Sequence, residues 1–264
     1  MTKQLIKSIT LSLKIAAVSF MTVLLLNNLA FAAGDSIKID KQSWTFNGIF
    51  GTFDRNALKR GYQIYSEVCA SCHSLKYVAY RNLEEIGLNK EQIKEIAAEF
   101  EVEDGPDDDG EMFFRPARPS DRFVPPYPNE KASRASNNGA YPPDLSLMAK
   151  ARKGGQDYIY ALLTSYQDEA PDGVEIGDGM YYNTAYPGFQ IAMAPPLEND
   201  TVEYEDGTTA DLKQHARDIS EFLMWTASPE LEKRKSLGIK VILFLLVWTG
   251  MLIALKMKIW AKIH

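Results

Sequence analysis

Apolar positions recur at helical spacing in four separate stretches of the chain, and a fifth stretch is apolar throughout. The first begins behind Asp54, a residue suited to capping a helix, and runs Leu58, Tyr62, Tyr65, Cys69. The spacing predicts a helix that carries into Cys69. Asn89 and Gln92 form a capping-box pair ahead of Ile93, Ile96, Ala97 and Phe100, which share one predicted face. A third helix is expected to start near Asp157 and to bury Tyr158, Ile159, Leu162 and Leu163. A fourth is expected after Thr208 or Thr209, with Leu212, Ala216, Ile219 and Leu223 as its stripe. Between these elements lie long stretches punctuated by Pro and Gly, mainly 112–143 and 167–207. Irregular connections of that length usually serve binding, and loops wrapped round a large flat cofactor would account for them.

The two ends follow other patterns. Leu237–Met257 reads LGIKVILFLLVWTGMLIALKM, 21 residues with Lys240 and Lys256 near the edges. As a helix it is about 31 Å long, the thickness of a hydrocarbon core, and both lysines can snorkel to headgroups. Trp260 stands where an interfacial aromatic belongs. At the other end, Lys3, Lys7 and Lys14, the apolar run Ile15–Leu26 and Ala30-Phe31-Ala32 have the layout of a secretory signal cleaved after Ala32. No arginine precedes Arg55, which argues against an Arg-rich organelle transit peptide. The expected organisation is a signal over 1–32, an exported domain over 33–232, and a membrane anchor with a short cytoplasmic tail over 233–264. Basic residues flank the span on both sides, so the signal sets the orientation. The domain is exported to the periplasmic side of a bacterial inner membrane and the C-terminus stays in the cytoplasm.

Charge sharpens this division. The whole chain is −6, yet all 35 acids lie between Asp35 and Glu232, where only 19 of the 29 basic residues are found. The exported part therefore carries −16, which attracts basic partners and disfavours nucleic acid. The two cysteines are three positions apart, so a disulfide between them would close almost no loop.

Those cysteines open the run Cys69-Ala70-Ser71-Cys72-His73, the c-type haem attachment pattern. Two thiols at this spacing can each add to a porphyrin vinyl group, and the following imidazole is carried under the ring to ligate iron. A redox Cys-x-x-Cys would call for a parallel sheet around it, and zinc would call for ligands this chain lacks. One covalently bound haem c is expected. The opposite iron ligand could come from His215, Met112, Met148, Met180, Met193 or Met224. Met148 and Met224 fall in helical patterns as core filler, Met112 stands beside an acidic run, and His215 reads as a surface or boundary histidine. Met193 is favoured by Gln190-Ile191-Ala192-Met193-Ala194-Pro195-Pro196-Leu197, where small neighbours allow close approach and two prolines stiffen the loop. A methionine opposite histidine raises the reduction potential and suits electron transfer.

CASCHSLKYVAYR, EVEDGPDDDGEMFFRP, SRASNNGAYPPDLS and YPGFQIAMAPPL occur in this order, and together they closely resemble the cytochrome c1 family. The resemblance runs from about Trp44 to the C-terminal anchor. It implies an all-α cytochrome c-type haem domain with long loop insertions, plus one C-terminal transmembrane helix. It also implies Met193 as the sixth iron ligand and Arg134 as the partner of a haem propionate. The function implied is that of a redox subunit in a quinol–cytochrome c oxidoreductase, with no enzyme activity of its own. An electron would arrive from a Rieske iron–sulfur protein and leave to a soluble c-type cytochrome, while the anchor packs beside cytochrome b. Some bacterial members carry a second cysteine pair that this chain lacks, so packing and prolines must hold the methionine loop here.

Eight acids stand in the run Glu99 to Glu111. Such a run is either a solvated face or a docking surface for a basic acceptor, the latter being sensitive to salt. Two other readings compete with the complex subunit. A free-standing tethered cytochrome would not need insertions of this size, and a haem sensor would need an exchangeable iron position.

Overall fold

A computed structural model describes residues 37–261 of the 264; the expected signal, residues 1–32, lies outside the described residues. The fold is mostly helical. Helix α1 is Arg55–Glu67, started by Asp54, whose carboxylate accepts the backbone N–H groups of Asn56 and Ala57. It buries Leu58, Gly61, Ile64 and Tyr65. The expected continuation into Cys69 is corrected: α1 ends at Glu67 and the chain tightens into a 3-10 turn over Cys69–Ser71. A second 3-10 segment, Tyr80–Ile86, leads to helix α2, Lys90–Ala98.

Asn89 and Gln92 cap α2 reciprocally, each side chain bonding the other's backbone N–H at 2.9 and 3.0 Å. Phe100 does not belong to the helix face assigned to it. The helix ends two residues earlier, and the Phe100 ring stacks on Tyr80 with 38% of the residue exposed. Strands β1 (Glu101–Asp104) and β2 (Phe113–Pro116) then form an antiparallel pair in register Glu101 to Pro116 and Asp104 to Phe113.

Helices α3 (Glu130–Ser136), α4 (Met148–Ala151) and α5 (Gln156–Thr164) follow. Strands β3 (Tyr181–Tyr182) and β4 (Gln190–Ile191) make a second small antiparallel pair. Helix α6 is Leu212–Ala227. It begins beyond Thr208 and Thr209 because Asp211 is the cap, its carboxylate accepting the Gln214 N–H at 2.7 Å. The stretches 112–143 and 167–207 therefore hold short elements, though most of their length is irregular.

The core is built on α1 against α6. A Cβ at Gly61 would collide with the Asp218 carbonyl and the Phe222 side chain, so the two helices approach there more closely than any larger residue would allow. Around that crossing, Tyr62, Tyr65, Tyr80, Phe123 and Phe222 pack ring to ring, with the Tyr80 and Phe123 centroids 4.6 Å apart.

The buried Asp218 and His215 inside this core both have partners. The Arg60 guanidinium holds the buried Asp218 carboxylate (2.7 Å) and the surface Asp206 (2.9 Å). His215 was expected at the surface or its boundary, and the structure corrects this. It is fully buried, and its ring nitrogens meet the Glu198 and Val202 carbonyls at 3.1 and 3.0 Å. With both nitrogens engaged by backbone, His215 has none to offer iron.

Helix α7, Leu231–Trp260, is continuous for 30 residues and contains the expected span. Only Leu231 of it is buried, while Val241 to Val247, Met251 to Ile253 and Ile259 stand exposed. An apolar helix this long with no protein cover is the form a membrane anchor takes.

Candidate functional site

Cys69, Cys72 and His73 lie together on the turn that closes α1. The Cys72 and His73 N–H groups both reach the Cys69 carbonyl, at 3.2 and 2.8 Å, which winds the motif into one tight turn. Both cysteines are free thiols rather than a disulfide. Desolvation pushes the Cys69 thiol up to about 12, with Cys72 beside it adding to the effect. This is the environment of a protonated thiol, the opposite of a thioredoxin-type nucleophile.

The imidazole of His73 is fixed by a residue far along the chain. Its Nδ1 lies 2.8 Å from the Pro143 carbonyl, a pure acceptor, so Nδ1 carries the proton and donates. That leaves Nε2 with its lone pair available, the arrangement second-shell carbonyls impose on metal-binding histidines. Burial lowers the His73 pKa, and the Pro143 bond opposes this in part; the neutral ring that ligation requires is favoured.

The Pro143 segment is itself fastened to the motif. Asp144 accepts from the Ser74 hydroxyl at 2.8 Å and from the Lys76 N–H at 2.9 Å. The Leu145 N–H reaches the Ser74 carbonyl at 2.9 Å, and the Tyr77 N–H reaches Ser146 Oγ at 3.1 Å. Tyr65, from the last turns of α1, donates its hydroxyl to the His73 carbonyl at 3.1 Å. None of these partners was singled out as functional from the sequence. The paired prolines Pro142 and Pro143 were the only local cue, because the decisive group is a backbone carbonyl.

Met193 follows β4 and is partly exposed. The half-buried Tyr166 donates its hydroxyl to the Met193 carbonyl at 3.0 Å, and desolvation holds that phenol well above its ordinary pKa. Asn183, fully buried, fastens the β3–β4 hairpin to α5 by donating to the Leu162 carbonyl at 2.8 Å. Leu197 plugs the core just after the two prolines. Hydrogen bonds thus join packing and prolines in holding the loop.

Arg134 lies on α3, half-exposed. Its guanidinium bonds Glu130 one turn back and the Gly139 carbonyl at 2.9 Å, and it sits 5.4 Å from the Tyr141 ring centre. Tyr141 is two residues before Pro143, so this arginine braces the segment that orients His73. Of the other ligand candidates, Met112 is 55% exposed in the acidic hairpin. Met148 and Met224 pack against the core, in keeping with core filler.

The acidic run forms β1 and the turn beyond it. Seven of its eight acids are exposed; Asp104 is the exception, bonded to Arg115, which also holds Asp121. Asp107 organises the turn by accepting the Asp109 and Glu111 N–H groups at 3.0 and 2.9 Å.

The family model described as Cytochrome C1 family matches residues 44–263. The chain belongs to the cytochrome c1 family. It is 46% identical to cytochrome c1 of Rhodospirillum rubrum over 96% of this chain and 99% of that one. It is 52% identical to the mitochondrial heme protein cytochrome c1-2 of Solanum tuberosum over 76% of this chain and 77% of the relative. It is also 45% identical to cytochrome b/c1 of Bradyrhizobium diazoefficiens over 84% of this chain, which spans 35% of that longer protein. Cytochrome c1 proteins are electron-transfer haem subunits of the bc1 complex and carry a covalently bound haem c. The two free thiols and the Nδ1-anchored imidazole fit that group. The bare apolar helix α7 fits a membrane-anchored protein.

Proposed function

We propose that this chain is the haem-carrying relay of a respiratory quinol–cytochrome c oxidoreductase, taking electrons from a Rieske iron–sulfur protein and giving them to a soluble c-type cytochrome. Cys69 and Cys72 would hold haem c through thioethers, His73 and Met193 would ligate its iron, and Arg134 would face a propionate. The observation that carries this reading is the His73–Pro143 hydrogen bond beside two free thiols, since it presents Nε2 at the motif's own turn. When bound, haem c supplies a one-electron redox couple.

The residues' parts follow from their chemistry. Pro143 and Tyr65 orient His73 from its ring and its backbone. Tyr166 and Asn183 keep the methionine loop in one conformation, so that little reorganisation accompanies a change of iron charge. For Arg134, the fork now shared between Glu130 and Gly139 is the geometry that suits a carboxylate. The seven exposed acids of the hairpin form a field that draws in a basic acceptor.

The partners proposed in the membrane are cytochrome b and the Rieske protein. The relative named cytochrome b/c1, in which a c1-like region is part of a longer chain, supports closeness to cytochrome b. The proposed setting is a bacterial inner membrane with the haem domain periplasmic and the C-terminus cytoplasmic. Mild detergent solubilisation tests the reading: the chain should co-purify with cytochrome b and a Rieske protein, and its α-band should titrate as a high-potential couple. Migration as a lone subunit would refute it.

A further inference from the structure

The loop between Phe46 and Phe53 divides sharply in burial. Phe46 and Phe53 are 3% and 5% exposed, and their rings lie 4.9 Å apart in the core. Between them, Ile49 is 68% and Phe50 84% exposed. Two adjacent large apolar side chains on a loop tip cost solubility, so their location matters.

That location is the head of the transmembrane helix. Glu232 on the first turn of α7 accepts the Phe53 N–H at 2.8 Å and pairs with Arg55 at 2.7 Å. One turn nearer the membrane, Lys235 donates to the carbonyls of Gly51 (3.0 Å) and Phe46. Descending α7 from Glu232 to Lys235 thus corresponds to descending the loop from Phe53 to Gly51. The next loop residues are Phe50 and Ile49, and the next helix residue but one is Leu237, where the apolar span begins. At 1.5 Å per residue, Lys235 stands about 3 Å above that boundary.

We propose that the Ile49–Phe50 tip is a second membrane-contacting element, seated in the headgroup interface beside the anchor helix. Its occupant is lipid, because Glu232 and Lys235 fasten this loop to the head of α7, where the bare apolar span begins. Lys240, near the edge of the span, adds positive charge of the kind anionic headgroups favour. The tip turns a single helical pivot into two points of contact. The lysine that bridges them bonds only backbone carbonyls, so the identity of the tip residues is free to serve the lipid.

Site-directed spin labelling of the full-length, haem-loaded chain in lipid nanodiscs tests this. The native cysteines are consumed by the haem, so Phe50→Cys and Ile49→Cys each give one nitroxide, with Lys131→Cys as an aqueous reference and Leu246→Cys as a span reference. The expected result is that both tip labels relax more with dioxygen and severalfold less with a water-soluble nickel chelate than the label at position 131. Tip labels as open to nickel as position 131, while position 246 reports the bilayer core, would overturn the proposal. Tip labels shielded from both reagents would overturn it in favour of a protein neighbour. A label at position 246 open to nickel would instead remove the anchor reading, and the proposal with it.

Discussion

Tyr166 donates its hydroxyl to the carbonyl of Met193 at 3.0 Å, across 27 positions of chain. Among the described residues it is the one side chain bonded to the Met193 backbone, and it is half-buried. Tyr166→Phe removes about 1 kcal/mol of net hydrogen bonding while leaving the ring's packing intact. The far-red methionine–iron band should weaken with warming at a lower temperature than in the parent, and the midpoint potential should fall modestly. Variable-temperature absorption of the oxidised protein checks this.

Met193→Leu should go further. The covalent haem stays, the methionine–iron band is lost, and the midpoint falls by far more than in Tyr166→Phe. An unchanged potential would exclude Met193 as ligand. Cys69→Ala acts on the other bond, leaving a haem stain on denaturing gels weak or absent.

Neutralising Asp107, Asp108 and Asp109 together should slow electron transfer to a basic acceptor at low ionic strength and leave it unchanged at high. Asp104→Asn is the contrasting variant. Its charge is already countered by Arg115, so it should affect the salt-dependent rate least. Stopped-flow rates across a salt series distinguish the two.

Arg60→Leu leaves the Asp218 carboxylate, whose side chain is 1% exposed, with the Gln214 amide but without its arginine. Breaking a buried pair from one side costs about 3–5 kcal/mol, and Arg60→Leu with Asp218→Asn should recover part of it. Urea denaturation of the haem-loaded protein measures both.

Glu221 is buried, and desolvation raises its pKa above the ordinary carboxylate value, while bonds from the Asp54 N–H and Thr45 hydroxyl oppose the shift. The folded state therefore holds this proton more tightly than the unfolded one. Its contribution to stability is present below the ordinary glutamate pKa and is lost as pH rises through the elevated value. Glu221→Gln keeps an acceptor for both donors and should flatten the fall in melting temperature over that window.

The helices were legible where a cap and a stripe agreed. Asp54 and the Asn89–Gln92 pair mark their helix starts from side chains alone. The start of α6 was legible only to within a few residues, because Thr208, Thr209 and Asp211 are all able caps and Asp211 is the one that accepts the Gln214 N–H. His215 sits on the stripe side of α6, yet its burial depends on two carbonyls from the 198–202 loop, which no periodicity reveals. The β1–β2 pair escaped notice because β1 is only four residues, three of them acids, so its alternation is lost in a charge run; Arg115 secures the pair by bonding Asp104 and Asp121. At the site, Cys69, Cys72 and His73 were plain as a motif. Pro143 and Tyr166 were not, since one acts through its backbone and the other through a neighbour's.

The Arg55–Glu232 pair joins the first residue of α1, which leads to the Cys69 motif, to the first turn of the anchor. Between that clamp and Cys69 lies rigid α1, about 20 Å of helix with no hinge in it. Electron tunnelling slows exponentially with distance, so a carrier on a slack tether would spend most of its time out of range of a donor at the bilayer. In the proposed function the height of the redox centre above the membrane would be set by this bolted strut, and a donor would have only to arrive.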